Sequence, residues 1–228
     1  MTGTLAVFDL DHTLLSGDSD VLWCAFLVDQ GLLPPDQLAL NARMEADYRS
    51  GTVSAPAFSQ FYVSTLGGRS PAFWAPWRQR FLQEVVLPRI PAAARALVAQ
   101  HRTAGHTLVM STATNRVITE LTAAALDIPH LIATEAALAD GLYTGRTDGV
   151  LNMREGKVQR LHGWLADRGM GEAARTQALA AAHFYSDSAN DLPLLRAVGH
   201  PTAVDPDDRL LAEANARGWP VLRLDRSA

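Results

Sequence analysis

An α/β fold, with a doubly wound parallel sheet and a small all-helical cap inserted after its first strand, is predicted by three features of the 228-residue sequence. Short apolar runs recur along the chain and stop abruptly at polar residues, as buried parallel strands do at the carboxyl edge of a sheet. Helical patterns separate these runs, which is the alternation of βαβ units. From residue 17 to residue 87 the alternation ceases, and four helical patterns follow one another without a strand. The expected organisation is therefore a core of residues 1–16 and 88–228 and a helical cap of residues 17–87.

The first strand is the run Thr4 to Phe8, ending at Asp9. In the inserted segment, Asp20 to Gln30 has helical apolar spacing at Val21, Leu22, Phe26 and Leu27, with Gly31 as its stop. Pro34-Pro35-Asp36 opens a second helix reaching about Arg49, Ala55 to Leu66 forms a third, and Ser70-Pro71 opens a fourth containing Trp74, Trp77 and Phe81. After Pro88 the order is a helix from Pro91 to Ala104, a strand from Thr107 to Met110, a helix from Asn115 to Leu126 and a strand from His130 to Thr134. Leu138 to Arg146, with Asp140-Gly141 at its centre, has the signature of a β-hairpin. Gly156 to Arg168 is helical, His183 to Tyr185 is a strand and Leu192 to Val198 a short helix. Thr202 to Val204 and Val221 to Leu224 are late strands around a helix from Asp207 to Arg217.

Composition narrows the function class. Hydrophobic residues make up 48% and charged residues 19%, and the formal net charge is -4. A mildly acidic chain has no general attraction for nucleic acid or an anionic membrane, so an anionic ligand must be attracted by local charge. No apolar run approaches the ~20 residues of a membrane span. Met1 to Val7 has no basic stretch and no long apolar one, so no signal peptide is expected, and the single cysteine, Cys24, fits a reducing cytoplasm. Cys24 has no catalytic signature around it and is expected to be a packed helix residue.

Four polar clusters fall where strands stop or helices open. Asp9 and Asp11, one residue apart after the first strand, suit either a metal or an acid/base pair, and their oxygen ligands favour Mg2+ over zinc. Ser111-Thr112-Ala113-Thr114-Asn115 leads from a strand into a helix, where hydroxyls and backbone N–H groups form a phosphate site. Lys157 opens a helix and can neutralise phosphate charge. Ser186-Asp187-Ser188-Ala189-Asn190-Asp191 follows another strand and could complete a magnesium site. Singly, each is as well explained by a helix cap, a turn or a solvated charge. Their weight lies in appearing together, in order, on one α/β frame.

That ordered set resembles the haloacid dehalogenase superfamily of aspartate-nucleophile hydrolases, over nearly the whole chain. FDLDHTLL is similar to the first motif of the family, Ser111 to the second, Lys157 to the third and YSDSANDLPLL to the fourth. The helical insert resembles the cap of the phosphoserine phosphatase-like branch. The resemblance implies a Rossmann-like core and a phosphatase acting on a small phosphorylated metabolite. It makes Asp9 the nucleophile that becomes an aspartyl-phosphate, and Asp11 the acid and then base. It assigns Mg2+ to Asp9, Asp11 (through its carbonyl) and Asp187, with Asp191 and Asn190 in support. Ser111, Thr112 and Lys157 would hold the phosphoryl group.

The substrate is less tightly implied. Asp18 stands where phosphoserine phosphatases carry a cap glutamate, and no arginine occupies the stretch Phe58 to Thr65 where those enzymes bind a carboxylate. Gly17-Asp18-Ser19-Asp20 and YSDSANDLPLL resemble a bacterial subgroup of histidinol-phosphatases, and Asp18 and Asp20 would suit an amine. The plainer reading of Asp18 and Asp20 is a helix cap and its acidic first turn.

Further residues have plain expectations. His12 is expected to be a bystander, because neighbouring positions in an extended loop point apart. The seven histidines show no zinc-ligand spacing. Trp74, Trp77 and Phe81 pack a bundle core or form a dimer patch, so the chain is expected as a monomer or a homodimer. The rival functions are a phosphotransferase or mutase on the same fold, and a receiver-like phospho-acceptor signalling module. The position of Asp9 after the first strand, and the long insert behind it, set this chain apart from a receiver.

Overall fold

The computed structural model describes residues 3–226; the outermost residues of the expected core segments, Met1, Thr2, Ser227 and Ala228, lie outside them. A seven-stranded sheet runs through the chain in the order β4-β3-β2-β1-β5-β6-β7. Its strands are β1 (Leu5–Phe8), β2 (Thr107–Asn115), β3 (His130–Ala139), β4 (Leu142–Asp148), β5 (His183–Ser186), β6 (His200–Val204) and β7 (Val221–Leu222). All neighbours are parallel except the β3–β4 hairpin. Strand order reverses at β1, which lies between β2 and β5, so the crevice at a topological switch point falls beyond Phe8.

Before β2 come α1 (Ser19–Asp29), α2 (Gln37–Arg49), α3 (Ala55–Ser64), α4 (Pro71–Phe81) and α5 (Ala92–Thr103). After it come α6 (Arg116–Ala125), α7 (Glu155–Ala166), α8 (Glu172–Ala180), α9 (Leu192–Ala197) and α10 (Asp208–Arg217). Alternation along β1 decides which helices lie on which face. Ala6 and Phe8 pack with Met110, Val98 of α5 and Val117 and Ile118 of α6, whereas Leu5 and Val7 pack with Leu161, Leu194 and Leu210 from α7, α9 and α10.

The inserted helices α1 and α4 share the first of these clusters. Trp23 of α1 packs edge-on against Trp74 and Phe81 of α4, with centroids 5.6 and 5.0 Å away, each pair worth about 0.5–1.5 kcal/mol beyond area burial. Trp74 and Phe81 are buried and Trp77 packs against the same cluster, so the aromatic trio is core and not a free dimer patch. Cys24 is buried and burial pushes its thiol pKa up, as a packed residue rather than a nucleophile. The backbone of Gly68 and Arg69 pairs with Tyr143, fastening the insert to β4.

Several elements differ from the sequence expectation. β2 runs five residues beyond Met110, so Ser111 to Asn115 belong to a strand end, with a register irregularity between Ser111 and Asn115; helix α6 starts only at Arg116, capped by Asn115. β3 extends to Ala139 and pairs at the sheet edge as a hairpin, with Asp140 and Gly141 both at positive φ as a two-residue turn requires. Helix α8 was not expected; its only buried residue is Leu179, which leaves no apolar stripe to read. No described helix is long and apolar enough to cross a membrane.

Candidate active site

Beyond β1 the chain folds back on itself. Leu10, Leu14 and Leu15 are fully buried, and the Leu10 carbonyl accepts the N–H groups of Thr13, Leu14 and Leu15. These apolar anchors leave Asp9 and Asp11 facing the crevice, with Thr13 fully buried. The Asp9 N–H donates to the Tyr185 carbonyl at 3.0 Å, tying β1 to β5 just where both strands deliver their acidic residues.

Asp9 is 6% exposed. Its Oδ1 accepts from Lys157 Nζ at 2.8 Å. Lys157, brought in by the first turn of α7, also donates to Asp191 Oδ2 at 2.6 Å, and the Ser186 hydroxyl donates to the same oxygen at 2.7 Å. Thr13 Oγ1 lies 3.2 Å from Asp9 Oδ2 and 3.1 Å from Asp187 Oδ1 while accepting from the Asp187 N–H at 3.1 Å. A hydroxyl has one hydrogen, so Thr13 can satisfy one of those carboxylates at a time.

The electrostatics are unbalanced. Asp9 and Asp191 share one ammonium, and Asp187 adds a third carboxylate whose charged neighbours are those two aspartates. Burial lowers the Lys157 pKa, but Asp191 and Asp9 outweigh it and hold the group above its ordinary value, so it stays charged. Asp187 is raised well above the carboxylate range by burial, then by the charges of Asp9 and Asp191. Burial raises Asp9 as well, against the pull of Lys157. The uncompensated charge and the all-oxygen donors fit a hard divalent cation such as Mg2+.

Asp11 is held separately. Its Oδ1 accepts from the Ser19 N–H at 2.7 Å, and its Oδ2 accepts from Thr114 Oγ1 at 2.9 Å and lies 3.4 Å from Thr112 Oγ1. Thr114 Oγ1 also lies 3.2 Å from Asp20 Oδ2. Asp20 is buried and its pKa is raised well above the carboxylate range, by burial first and then by Asp18 and Asp11. A protonated Asp20 can donate to Thr114, leaving the Thr114 hydrogen for Asp11.

Asp9, Asp11, Asp18, Asp20, Lys157, Asp187, Asn190 and Asp191 all line one cavity of about 610 Å³. Ser111 and Thr112 lie behind its wall, both fully buried. Asn152 Nδ2 donates to Ser111 Oγ at 3.1 Å and to the Thr112 carbonyl at 2.9 Å. From this strand end it is Ala113 and Thr114 that line the cavity, since the hydroxyl run is strand and not a helix start. Asp18 caps α1, accepting from the N–H groups of Asp20 and Val21 at 2.9 and 3.1 Å. Its pKa is pushed up to about 8 by burial and then by Asp11. His12 is exposed and at positive φ, and lines the outer cavity.

The far wall was missed from the sequence. Tyr48 and Phe58 stack with centroids 4.2 Å apart, flanked by Glu45, Arg49 and Arg154. These residues come from α2, α3 and the loop before α7, and nothing in their spacing marks them as neighbours. Thr114 carried a signal, as the last hydroxyl of its run. So did Thr13, which stands two residues after Asp11. The histidines lack zinc-ligand spacing in sequence, and the fold nonetheless brings His101, His106 and His183 together.

Comparison with known proteins agrees with this geometry. A histidinol-phosphatase of Neisseria meningitidis serogroup C (strain 8013) is 39% identical over 220 residues, covering 96% of this chain and 97% of the relative. A crystal structure of a protein from Bordetella pertussis Tohama I superposes with a TM-score of 0.91 at 39% identity, covering 97% of this chain and 99% of that one. A substrate-bound phosphoserine phosphatase shares the fold, with a TM-score of 0.68 at 14% identity over all of this chain and 95% of its own. The family model for haloacid dehalogenase-like hydrolases matches residues 6–196, and the chain belongs to that family.

Proposed function

We propose that the protein is a magnesium-dependent phosphatase that hydrolyses a small phosphate monoester carrying a cationic amine, with L-histidinol phosphate as the leading candidate. The observation that carries the reading is the presence, in one cavity, of the Asp9–Lys157 pair and an acidic wall of Asp18, Asp20 and Glu45. The first end suits a phosphoryl group, and the second an ammonium, whose charge would draw down the raised pKa values of Asp18 and Asp20. The stacked Tyr48 and Phe58 offer an aromatic surface for an imidazole. The similarity to the Neisseria histidinol-phosphatase supports the same substrate.

In this reading the Asp9 carboxylate attacks phosphorus, and the ester oxygen departs with a proton from Asp11. An aspartyl-phosphate on Asp9 results. Asp11, now a carboxylate, takes a proton from the water that attacks the same phosphorus, releasing inorganic phosphate and restoring Asp9. Lys157 lowers the repulsion between the anionic nucleophile and the anionic phosphate. Ser111 and Thr112 would support the phosphoryl end from behind the wall, Ser111 by receiving the Asn152 amide hydrogen and Thr112 by accepting from the Thr114 N–H. Asp9, the Asp11 carbonyl and Asp187 would hold Mg2+, with Asp191 and Asn190 in support. The bound cation would supply charge neutralisation for the phosphoryl oxygens. The helices of residues 17–87 act as the cap that carries the specificity wall.

A second reading has its own observation. Arg49 and Arg154 line the cavity and could pair with a carboxylate, as phosphoserine requires. Arg49 is the weaker anchor, since its side chain is 81% exposed and lies 3.9 Å from Glu45. The test is a panel of histidinol phosphate, phosphoserine and an uncharged monoester, with and without Mg2+, with phosphate and transfer products both measured. The expected result is Mg2+-dependent release of phosphate to water, with kcat/KM at least tenfold higher for histidinol phosphate. A preference for phosphoserine replaces the first substrate with the second, and transfer to an alcohol makes the protein a phosphotransferase.

A further inference from the structure

Four histidines meet at the end of the sheet opposite the cavity. His101 lies in the last turn of α5, His106 in the turn before β2, and His183 and His200 open β5 and β6, where they are paired in register. The His183 ring stacks on His200 at 4.6 Å and contacts His101 at 4.9 Å and His106 at 5.4 Å. One ring nitrogen from each of His101, His106 and His183 falls within 4.8 Å of the others. His101 is buried, His106 and His183 are partly open, and His200 is exposed.

We propose that His101, His106 and His183 form a second cation site, selective for a borderline divalent transition metal such as Zn2+ and separate from the oxygen-lined cavity. Imidazole nitrogens suit such a metal and not Mg2+. The outer contacts are those of a metal-binding histidine. The Tyr185 hydroxyl meets His101 Nε2 at 2.8 Å, which fixes the ring and turns Nδ1 toward the other two rings. The rings of His101 and His183 are held toward the neutral form. Burial, and then His183 and His106, push His101 down to about 4, and His183 is lowered by burial and by His200 and His106.

The metal-free spacing explains what must move. His101 Nδ1 and His106 Nδ1 lie 2.7 Å apart, sharing one proton. Two nitrogens on a tetrahedral zinc, each at roughly 2.0–2.1 Å, stand about 3.4 Å apart, so the rings must part by about 0.7 Å as that proton leaves. His106 follows Gly105, which is at positive φ with no neighbour near its Cβ position, so the turn can yield. Water or His200 would fill the fourth position. The site is distant from the chemistry, because β5 carries the chain away from His183 by roughly 13 Å before Asp187. A metal there would clamp α5 and its turn to β5 and β6, a stabilising role rather than a catalytic one.

The test uses tag-free full-length protein in excess Mg2+, which saturates the oxygen-lined cavity. Zn2+ is titrated by calorimetry, and Co2+ by the visible absorption of a four-coordinate nitrogen-ligated ion. The expected result is one equivalent bound, a thermal midpoint raised by Zn2+, and at least tenfold weaker binding in both His106→Asn and His183→Asn. Circular dichroism and Mg2+-dependent turnover, which neither residue touches, report that the variants are folded. Absence of a saturable equivalent in the wild-type protein overturns the proposal, and so does a folded variant of either kind that binds Zn2+ as the wild type does.

Discussion

Lys157 Nζ lies 2.8 Å from Asp9 Oδ1, and both side chains are almost wholly buried. The lysine is thus the nearest positive charge to the proposed nucleophile, and Asp191 holds it from the other side. Removing it strands both carboxylates. Lys157→Met is expected to lower kcat by about 10²–10³-fold or more, the cost of losing one charged donor at a reacting anion. Breaking a buried pair also costs stability, about 3–5 kcal/mol, measurable by urea unfolding. Lys157→Arg should not restore turnover, because a site with 2% exposure has no room for the guanidinium fork.

Asp11 and Thr114 are coupled through a 2.9 Å hydrogen bond. If Asp11 protonates the leaving oxygen, its loss matters most for a poor leaving group. Asp11→Asn is expected to reduce turnover of an alkyl phosphate by about 10²–10⁴-fold. Formation of the intermediate from p-nitrophenyl phosphate, whose leaving group needs no proton, should suffer much less in a pre-steady-state burst. Thr114→Val should produce a smaller loss of the same kind.

Gly156 allows the first turn of α7 to approach the preceding loop. A Cβ there would stand 2.0 Å from the Leu151 carbonyl oxygen, a backbone atom that cannot step aside. Gly156→Ala is expected to displace Lys157 from Asp9, lowering both the thermal midpoint and kcat, although alanine favours helices in general. A variant with unchanged kcat and midpoint would show that α7 shifts freely.

Asp18 gives a pH dependence of definite sign. Its pKa is about 8 in the folded protein against 3.8 for the free group, so the folded state binds the proton more tightly. Its stabilising contribution is complete below about pH 4 and is lost as the pH rises towards 8, with a slope of at most about 1.4 kcal/mol per unit. Asp18→Asn keeps a helix-capping side chain and removes the titration. The difference in unfolding free energy between wild type and variant should therefore change steadily between pH 5 and pH 8. The same variant should raise KM for an amine-bearing substrate and leave that for an uncharged monoester nearly unchanged.

The sequence was most legible where local chemistry and fold agree. Leu10, Leu14 and Leu15 are apolar because they anchor a turn, and that turn sets Asp9 and Asp11 beside the end of β5. Asp18 is the cap of α1, as its plainer reading expected, and it also lines the cavity. What escaped depends on tertiary approach. The hydroxyl run after Met110 has the composition of a helix start, yet β3 extends alongside it as far as Asn115 and keeps it in the sheet. Tyr48 and Phe58 meet only because α2 and α3 fold against each other, and the histidine cluster only because β5 and β6 begin side by side.

The central claim is that Asp9 is the nucleophile. Its most direct measurement is the turnover of freshly prepared Asp9→Asn, with intact mass used to exclude deamidation back to aspartate. The account predicts a loss of at least about 10⁴-fold in kcat, with the Mg2+-bound fold retained, because an amide cannot attack phosphorus as a carboxylate does. Activity within tenfold of the wild type, in protein whose asparagine is verified, would contradict it.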